Sequence, residues 1–190
     1  MSLFTAIVLS AKPVTLHFPG VVVLPSVQQI GSVKQLYDLR LQVLSRVTTP
    51  FCFYLDDDDA LPADYMEVLQ ECADHHLPLA YTDELVNYRG CSAVRQSEPY
   101  SLERHKQAPM LVHHLALMRT ADAVSAAQRL PRAMDFSVEQ PLYMEIAKGG
   151  AAYVPRVGYV WNRTLTGISH WPQMIAAQVR AQRWCHGGAA

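Results

Sequence analysis

A chain of 190 residues, half of them hydrophobic and 17% charged, fits one compact domain with a true core better than a disordered or coiled-coil chain. A formal net charge of −1, with scattered basic residues, supplies no global field for nucleic acid or anionic lipid. Cys52, Cys72, Cys91 and Cys185 form no C-x-x-C pair, and neither a basic leader at the N-terminus nor a bilayer-length apolar run is present, so the expectation is a cytoplasmic protein with reduced thiols and no membrane span.

Phe4 to Leu9 and Val21 to Leu24 are short β-branched runs bounded by Ser, Pro and Gly, and read as buried strands. Ser10 to Gly20 between them is about the minimum for a parallel crossover. Pro13 and Pro19 argue against a full helix there, so the first βαβ unit is predicted to be trimmed or absent. From Ser32 to Val47, Val33, Tyr37, Leu44 and Val47 recur at helical spacing, with Ser32 as N-cap. Arg40 falls within that stripe. A guanidinium cannot shed its charge when desolvated, so Arg40 either meets a carboxylate or phosphate or snorkels to solvent.

Phe51 to Leu55 is apolar at every position, as in a strand covered on both faces. Asp56-Asp57-Asp58-Asp59 follow at its carboxyl end, the edge where open α/β sheets bind ligands. Four adjacent carboxylates repel one another unless water or a cation balances them. They read either as a metal site or as a solvated acidic cap on the next helix, predicted over Pro62 to His75 with Pro62 in its first turn. Leu79 to Thr82 reads as a strand ending in Asp83 and Glu84. Residues 89–108 are polar, lack periodicity and read as a loop excursion.

Met110 to Met118 then reads as a strand, Thr120 to Leu130 as an alanine-rich helix, and Pro141 to Lys148 as a helix closed by Gly149-Gly150. Ala151 to Trp161 reads as a further strand and 171–190 as a C-terminal helix and tail, all within one domain over 1–190. The adjacent pairs His75-His76 and His113-His114 read as ordinary surface or core histidines, because neighbours on a helix or strand point to different faces.

The stretch Phe-Tyr-Leu-Asp-Asp-Asp-Asp-Ala-Leu-Pro-Ala-Asp-Tyr from Phe53 to Tyr65 resembles the DXD region of GT-A glycosyltransferases of the large inverting family 2. Leu39-Arg40 resembles the arginine-bearing helix before that strand, and Leu79-Ala80-Tyr81-Thr82-Asp83 the next strand. Leu117-Met118-Arg119 resembles the strand entering the acceptor-side helix, and Glu139-Gln140 sits where the family carries a Glu-Asp motif. Tyr159 to Arg163 and Gly167-Ile168-Ser169-His170 resemble its closing segment, so the likeness runs from about Ser32 to His170. It implies an α/β fold with an open, mixed, mostly parallel sheet flanked by helices.

The resemblance further implies a nucleotide-sugar donor, a UDP-sugar first, whose adjacent phosphates share a Mn2+ or Mg2+ ion with carboxylates of the protein. Asp58 is then the most direct metal ligand, and Asp56 approaches ribose or metal. Asp57 and Asp59 are weaker candidates. Arg40, Arg163 and His170 fall at the donor, His170 also as a metal or phosphate ligand, and Trp161 shapes the same pocket.

Two departures stand out. Inverting transfer needs a base, and the family's second acid is replaced by Gln140, which cannot accept the proton; Glu139 and Asp135 are the available substitutes, and Glu139 reads equally as a cap held ionised at the start of the helix that Pro141 opens. The second strand also lacks the aspartate that commonly follows it in the family, although Lys12 is available to a phosphate. The leading expectation is a metal-dependent, inverting glycosyltransferase with an unknown acceptor. The alternative is a GT-A-like binding or structural subunit of a larger assembly. A different metal-dependent nucleotidyl enzyme has less in its favour, since no P-loop is present.

Overall fold

The computed structural model describes residues 2–131, 135, 137–164 and 171–187. Seven strands form one sheet, β1 (Phe4–Ser10), β2 (Val21–Val27), β3 (Phe51–Asp56), β4 (Leu79–Tyr88), β5 (Cys91–Arg95), β6 (Ala116–Arg119) and β7 (Ala151–Asn162). The helices are α1 (Val33–Leu44), α2 (Tyr65–Asp74), α3 (Leu102–Gln107), α4 (Thr120–Arg129), α5 (Glu139–Ala147) and α6 (Pro172–Cys185), with a 3-10 turn at Pro109–Leu111. β1 lies between β2 and β3, parallel to both. β6 then joins β3 to β4, antiparallel to each. β7 runs parallel along one edge of β4, while β6 and β5 follow one another along the other. The parallel pairings carry the longest registers, as expected of a mixed, mostly parallel sheet.

β1 and β2 pair in parallel with no helix between them, as the prolines of that connection predict. On β3, Cys52 and Tyr54 pack with Tyr37, Leu44, Met118 and Leu142 on one face of the sheet, whereas Phe53 and Leu55 pack with Phe4, Leu69, Cys72 and Leu117 on the other. The period-2 alternation of a strand inside a continuous apolar run therefore feeds two cores. α1, α4 and α5 cover the first face and α2 the second. Truncating a fully buried side chain such as Leu69 to alanine costs about 2–5 kcal/mol.

Several expectations need correction. Residues 89–108 are not a plain loop: Cys91–Arg95 closes an antiparallel hairpin with β4, and α3 follows, N-capped by Ser101. The strand expected over Met110 to Met118 begins only at Ala116, after the 3-10 turn and after Leu115, whose φ is +35°. α2 starts at Tyr65 instead of Pro62, and Asp64 at its N-cap gives its carboxylate to Arg156 at 2.5 Å. α5 starts two residues before Pro141, at Glu139. β4 continues past Asp83 and Glu84 to Tyr88.

β7 bulges against β4 at two places, around Pro155-Arg156 and at Gly158. Proline lacks the ladder donor and suits the first. At Gly158 a Cβ would come within 2.5 Å of both Leu115 Cδ2 and Thr82 Oγ1, so only glycine lets β7 pass. The bulges set the facing of Tyr159, Trp161 and Asn162 on the strand's last stretch.

Candidate functional site

A cleft of about 500 Å³ opens at the carboxyl ends of β1 and β3. Its lining includes Ser10, Arg40, Asp56, Asp57, Asp58, His113, His114, Glu139, Trp161 and Arg163. Strand parity explains its floor. Asp56 falls on the same face of β3 as Tyr54, and Arg40 of α1 lies over that face, 5.4 Å above the Tyr54 ring. Tyr54 Oη in turn donates to the Arg40 carbonyl at 2.9 Å.

Arg40 is buried, not snorkelling. Its Nη1 meets Glu139 Oε1 at 2.5 Å and its Nη2 lies 3.5 Å from Asp56 Oδ1. Burial alone would weaken its hold on the proton, but Glu139 and Asp56 reverse that and raise its pKa. Burial raises the Asp56 carboxyl above its usual range; Arg40 pulls it down, and Glu139 and Asp58 push it up again.

The four aspartates do not cap α2, which begins well beyond them. The segment is stitched to β7, where Ala60 and Val160 exchange backbone hydrogen bonds of 3.1 and 2.9 Å. Asp59 is buried and accepts from Tyr159 Oη at 2.8 Å and from the Asn162 amide at 2.7 Å. Burial lifts its carboxyl to about 7 despite those two bonds. Asn162 Nδ2 donates to the Asp58 carbonyl at 2.9 Å, and Ser10 Oγ donates to Asp57 Oδ2 at 2.5 Å. This division of labour leaves the exposed side chain of Asp58, and the outer part of Asp56, for a ligand.

Among the described residues the lining has the carboxylates of Asp56, Asp57, Asp58 and Glu139 against the guanidiniums of Arg40 and Arg163. That acidic excess presents hard oxygen donors, the ligand type that hard divalent cations take.

The remaining expected residues separate. Arg163 stacks over both Tyr88 and Trp161, 5.4 Å from each ring, at the cleft's rim. Asp135 is exposed, pairs with Arg180 at 2.6 Å, and is not among the lining residues. Gln140 turns away from the cleft: its Nε2 donates to the His105 carbonyl at 2.7 Å, and its side chain is buried against α3. His170 lies outside the described residues.

The histidine pair His113-His114, expected to be ordinary, lines the cleft. His114 lies flat on Tyr159, ring centroids 4.5 Å apart, and His113 packs edge-on against Trp161. The alternation of side chains that would separate them does not apply, because their segment is not a strand and Leu115 takes a left-handed turn directly after it. His113 Nδ1 lies 2.9 Å from Oε2 of buried Glu84, and Arg95 Nε donates to Oε1 of the same carboxylate at 2.6 Å. Burial works to raise the Glu84 pKa, but His113 and Arg95 together outweigh it and hold the carboxyl below its usual value. Two sets of potential ligands, Glu84 with His113 and His114, and Asp56 with Asp59 and His114, each bring their donor atoms within 4.8 Å of one another.

All four cysteines are free, and no helix among the described residues is long and apolar enough to cross a membrane. No protein-family model matches the sequence, and comparison with curated proteins gives no match. Solved structures do match. The chain is similar to S. aureus TarS 1-349 in complex with UDP-GlcNAc, with a TM-score of 0.64 at 14% identity over 88% of this chain and 60% of that one. It is similar to the same portion of TarS in complex with UDP, at 0.59 and 15% identity over 86% and 61%. A third TarS structure matches at 0.59 and 13% identity, over 86% of this chain and 37% of that one. At such identities the likeness shows the fold: a GT-A-like mixed α/β sheet flanked by helices, in a chain that spans about 60% of TarS 1-349.

Proposed function

We propose that the chain binds a nucleotide-sugar in the aspartate cleft, a UDP-sugar first, and transfers the sugar with inversion to a hydroxyl acceptor. One observation carries the reading: the acid-lined cleft lies at the carboxyl ends of parallel β1 and β3, in a fold like that of TarS solved with UDP-GlcNAc and with UDP. A diphosphate is itself an anion and is repelled by Asp56, Asp57, Asp58 and Glu139 unless a cation lies between. Asp58 and Asp56 hold Mn2+ or Mg2+ in this reading, and the ion supplies charge neutralisation for the departing diphosphate. Arg40 keeps Asp56 and Glu139 in place from beneath, and Arg163 with Trp161 borders the donor.

A second reading, a binding or structural subunit of a larger assembly, draws on Gln140, whose amide is spent on α3 where the resemblance expects a base. Release of UDP from UDP-GlcNAc separates the two. Release that requires Mn2+ and stops with a chelator supports transfer, whereas UDP binding without release supports the subunit.

A further inference from the structure

Transfer of a sugar to a hydroxyl needs a group that takes the hydroxyl proton as the oxygen attacks. Most acids of the cleft are committed elsewhere. Glu139 is held by Arg40 at 2.5 Å and Asp57 accepts from Ser10, while Asp59, behind the lining, is buried and accepts from Tyr159 and Asn162. Asp56 and Asp58 serve the cation in the reading above, and Gln140 faces α3.

The two histidines of the lining remain. His114 is stacked flat on Tyr159. His113 is the one histidine, among the described residues, with a carboxylate bonded to its ring, Nδ1 to Glu84 Oε2 at 2.9 Å. Glu84 is only 1% exposed and its other oxygen is taken by Arg95. An ionised carboxylate only accepts, so this bond keeps the proton on Nδ1 and leaves the lone pair on Nε2. A base oriented by a buried acid that is itself fixed by a third group is a recurring catalytic arrangement. The guanidinium of Arg95 also balances Glu84 already, which disfavours a second divalent cation between Glu84 and the histidines.

We infer that His113, oriented by Glu84 and Arg95, is the general base for sugar transfer in this cleft. The inference rests on the transfer reading given above. The acceptor's proton passes to His113 Nε2, and the electron pair of its oxygen forms the bond to the anomeric carbon. The bond from that carbon to the diphosphate oxygen breaks, and its pair leaves with the nucleoside diphosphate. Glu84 stabilises the imidazolium without taking the proton and is, with Arg95, a positioning residue. The base thus comes from the segment before β6, oriented from β4 and β5, and not from α5.

The test measures UDP release from UDP-GlcNAc with Mn2+, water serving as acceptor, alongside UDP affinity and thermal melting. His113→Gln is expected to lower kcat by about 10²- to 10⁴-fold with UDP affinity and melting unchanged. In His113→Ala, added imidazole is expected to restore part of the rate, which no structural role would produce. Glu84→Gln is expected to lower kcat with little change in KM, and Glu84→Asp to recover part of it. Full kcat in His113→Gln, or no rescue of a folded His113→Ala, overturns the base while leaving donor binding intact. Wild-type protein that binds UDP but releases none from the sugar also overturns it. Failure of wild-type protein to bind UDP at all removes the transfer reading itself, and the base with it.

Discussion

Arg40 Nη1 and Glu139 Oε1 meet at 2.5 Å, tying the second half of α1 to the first turn of α5 beneath the aspartate run. Removing one partner of a buried pair leaves the other charge uncompensated, which costs more than the pair itself contributes. Arg40→Met is expected to strand Glu139 and Asp56 and to destabilise the fold by about 3 kcal/mol, since both carboxylates are partly exposed. Urea unfolding measures it. A change indistinguishable from wild type would mean that the two helices are not joined through this charge.

Asp58 and Asp59 are neighbours with opposite duties. Asp59→Ala leaves the Tyr159 hydroxyl and the Asn162 amide without their acceptor and is expected to cost about 1–3 kcal/mol. Asp58→Ala removes an exposed side chain and is expected to leave the unfolding midpoint where it was. Denaturant titrations of the two variants, compared directly, check the contrast.

His105 of α3 is fully buried, its ring edge-on to Tyr100, and burial lowers its pKa from 6.5 to about 4. A depressed folded-state value means that its contribution to stability is fully present above pH 6.5 and disappears as pH falls through 4. Over that window wild type should lose about 3 kcal/mol more than His105→Gln, which has no proton to take up. Stability measured against pH for both proteins reads the difference; parallel curves would place the acid sensitivity elsewhere.

Gly158 lets β7 pass Leu115 and Thr82. Gly158→Ala puts a methyl within 2.5 Å of both and is expected to cost about 1–3 kcal/mol by overpacking. Because Tyr159 follows directly, the variant should also disturb the His114 stack, visible as shifted histidine resonances in NMR spectra.

Much of this architecture was legible from residue pattern. The apolar run of β3, the helical stripe with Ser32 capping the Gln35 amide, and the helix-free link between β1 and β2 all appear as expected. What escaped has local causes. β5 has no alternation to read, because both its faces are largely exposed, and α3 spans too few residues for a helical period to show. The Met110 to Met118 run has a strand's composition, but its backbone turns at Leu115. That single turn brings two adjacent histidines to one cleft. The partnership of Glu84 with His113 joins residues far apart in sequence, and no local pattern encodes it. Arg40 stood between two readings, a partner of opposite charge or snorkelling to solvent, and the structure decides for the first with two carboxylates, both partly exposed.

Calorimetric titration of UDP, with Mn2+ and again with a chelator, into wild-type protein and Asp58→Asn tests the central claim most directly. The account predicts binding to wild type that needs the metal and is lost in Asp58→Asn while the variant stays folded. UDP binding that is equally strong without metal, or undiminished in Asp58→Asn, would contradict it.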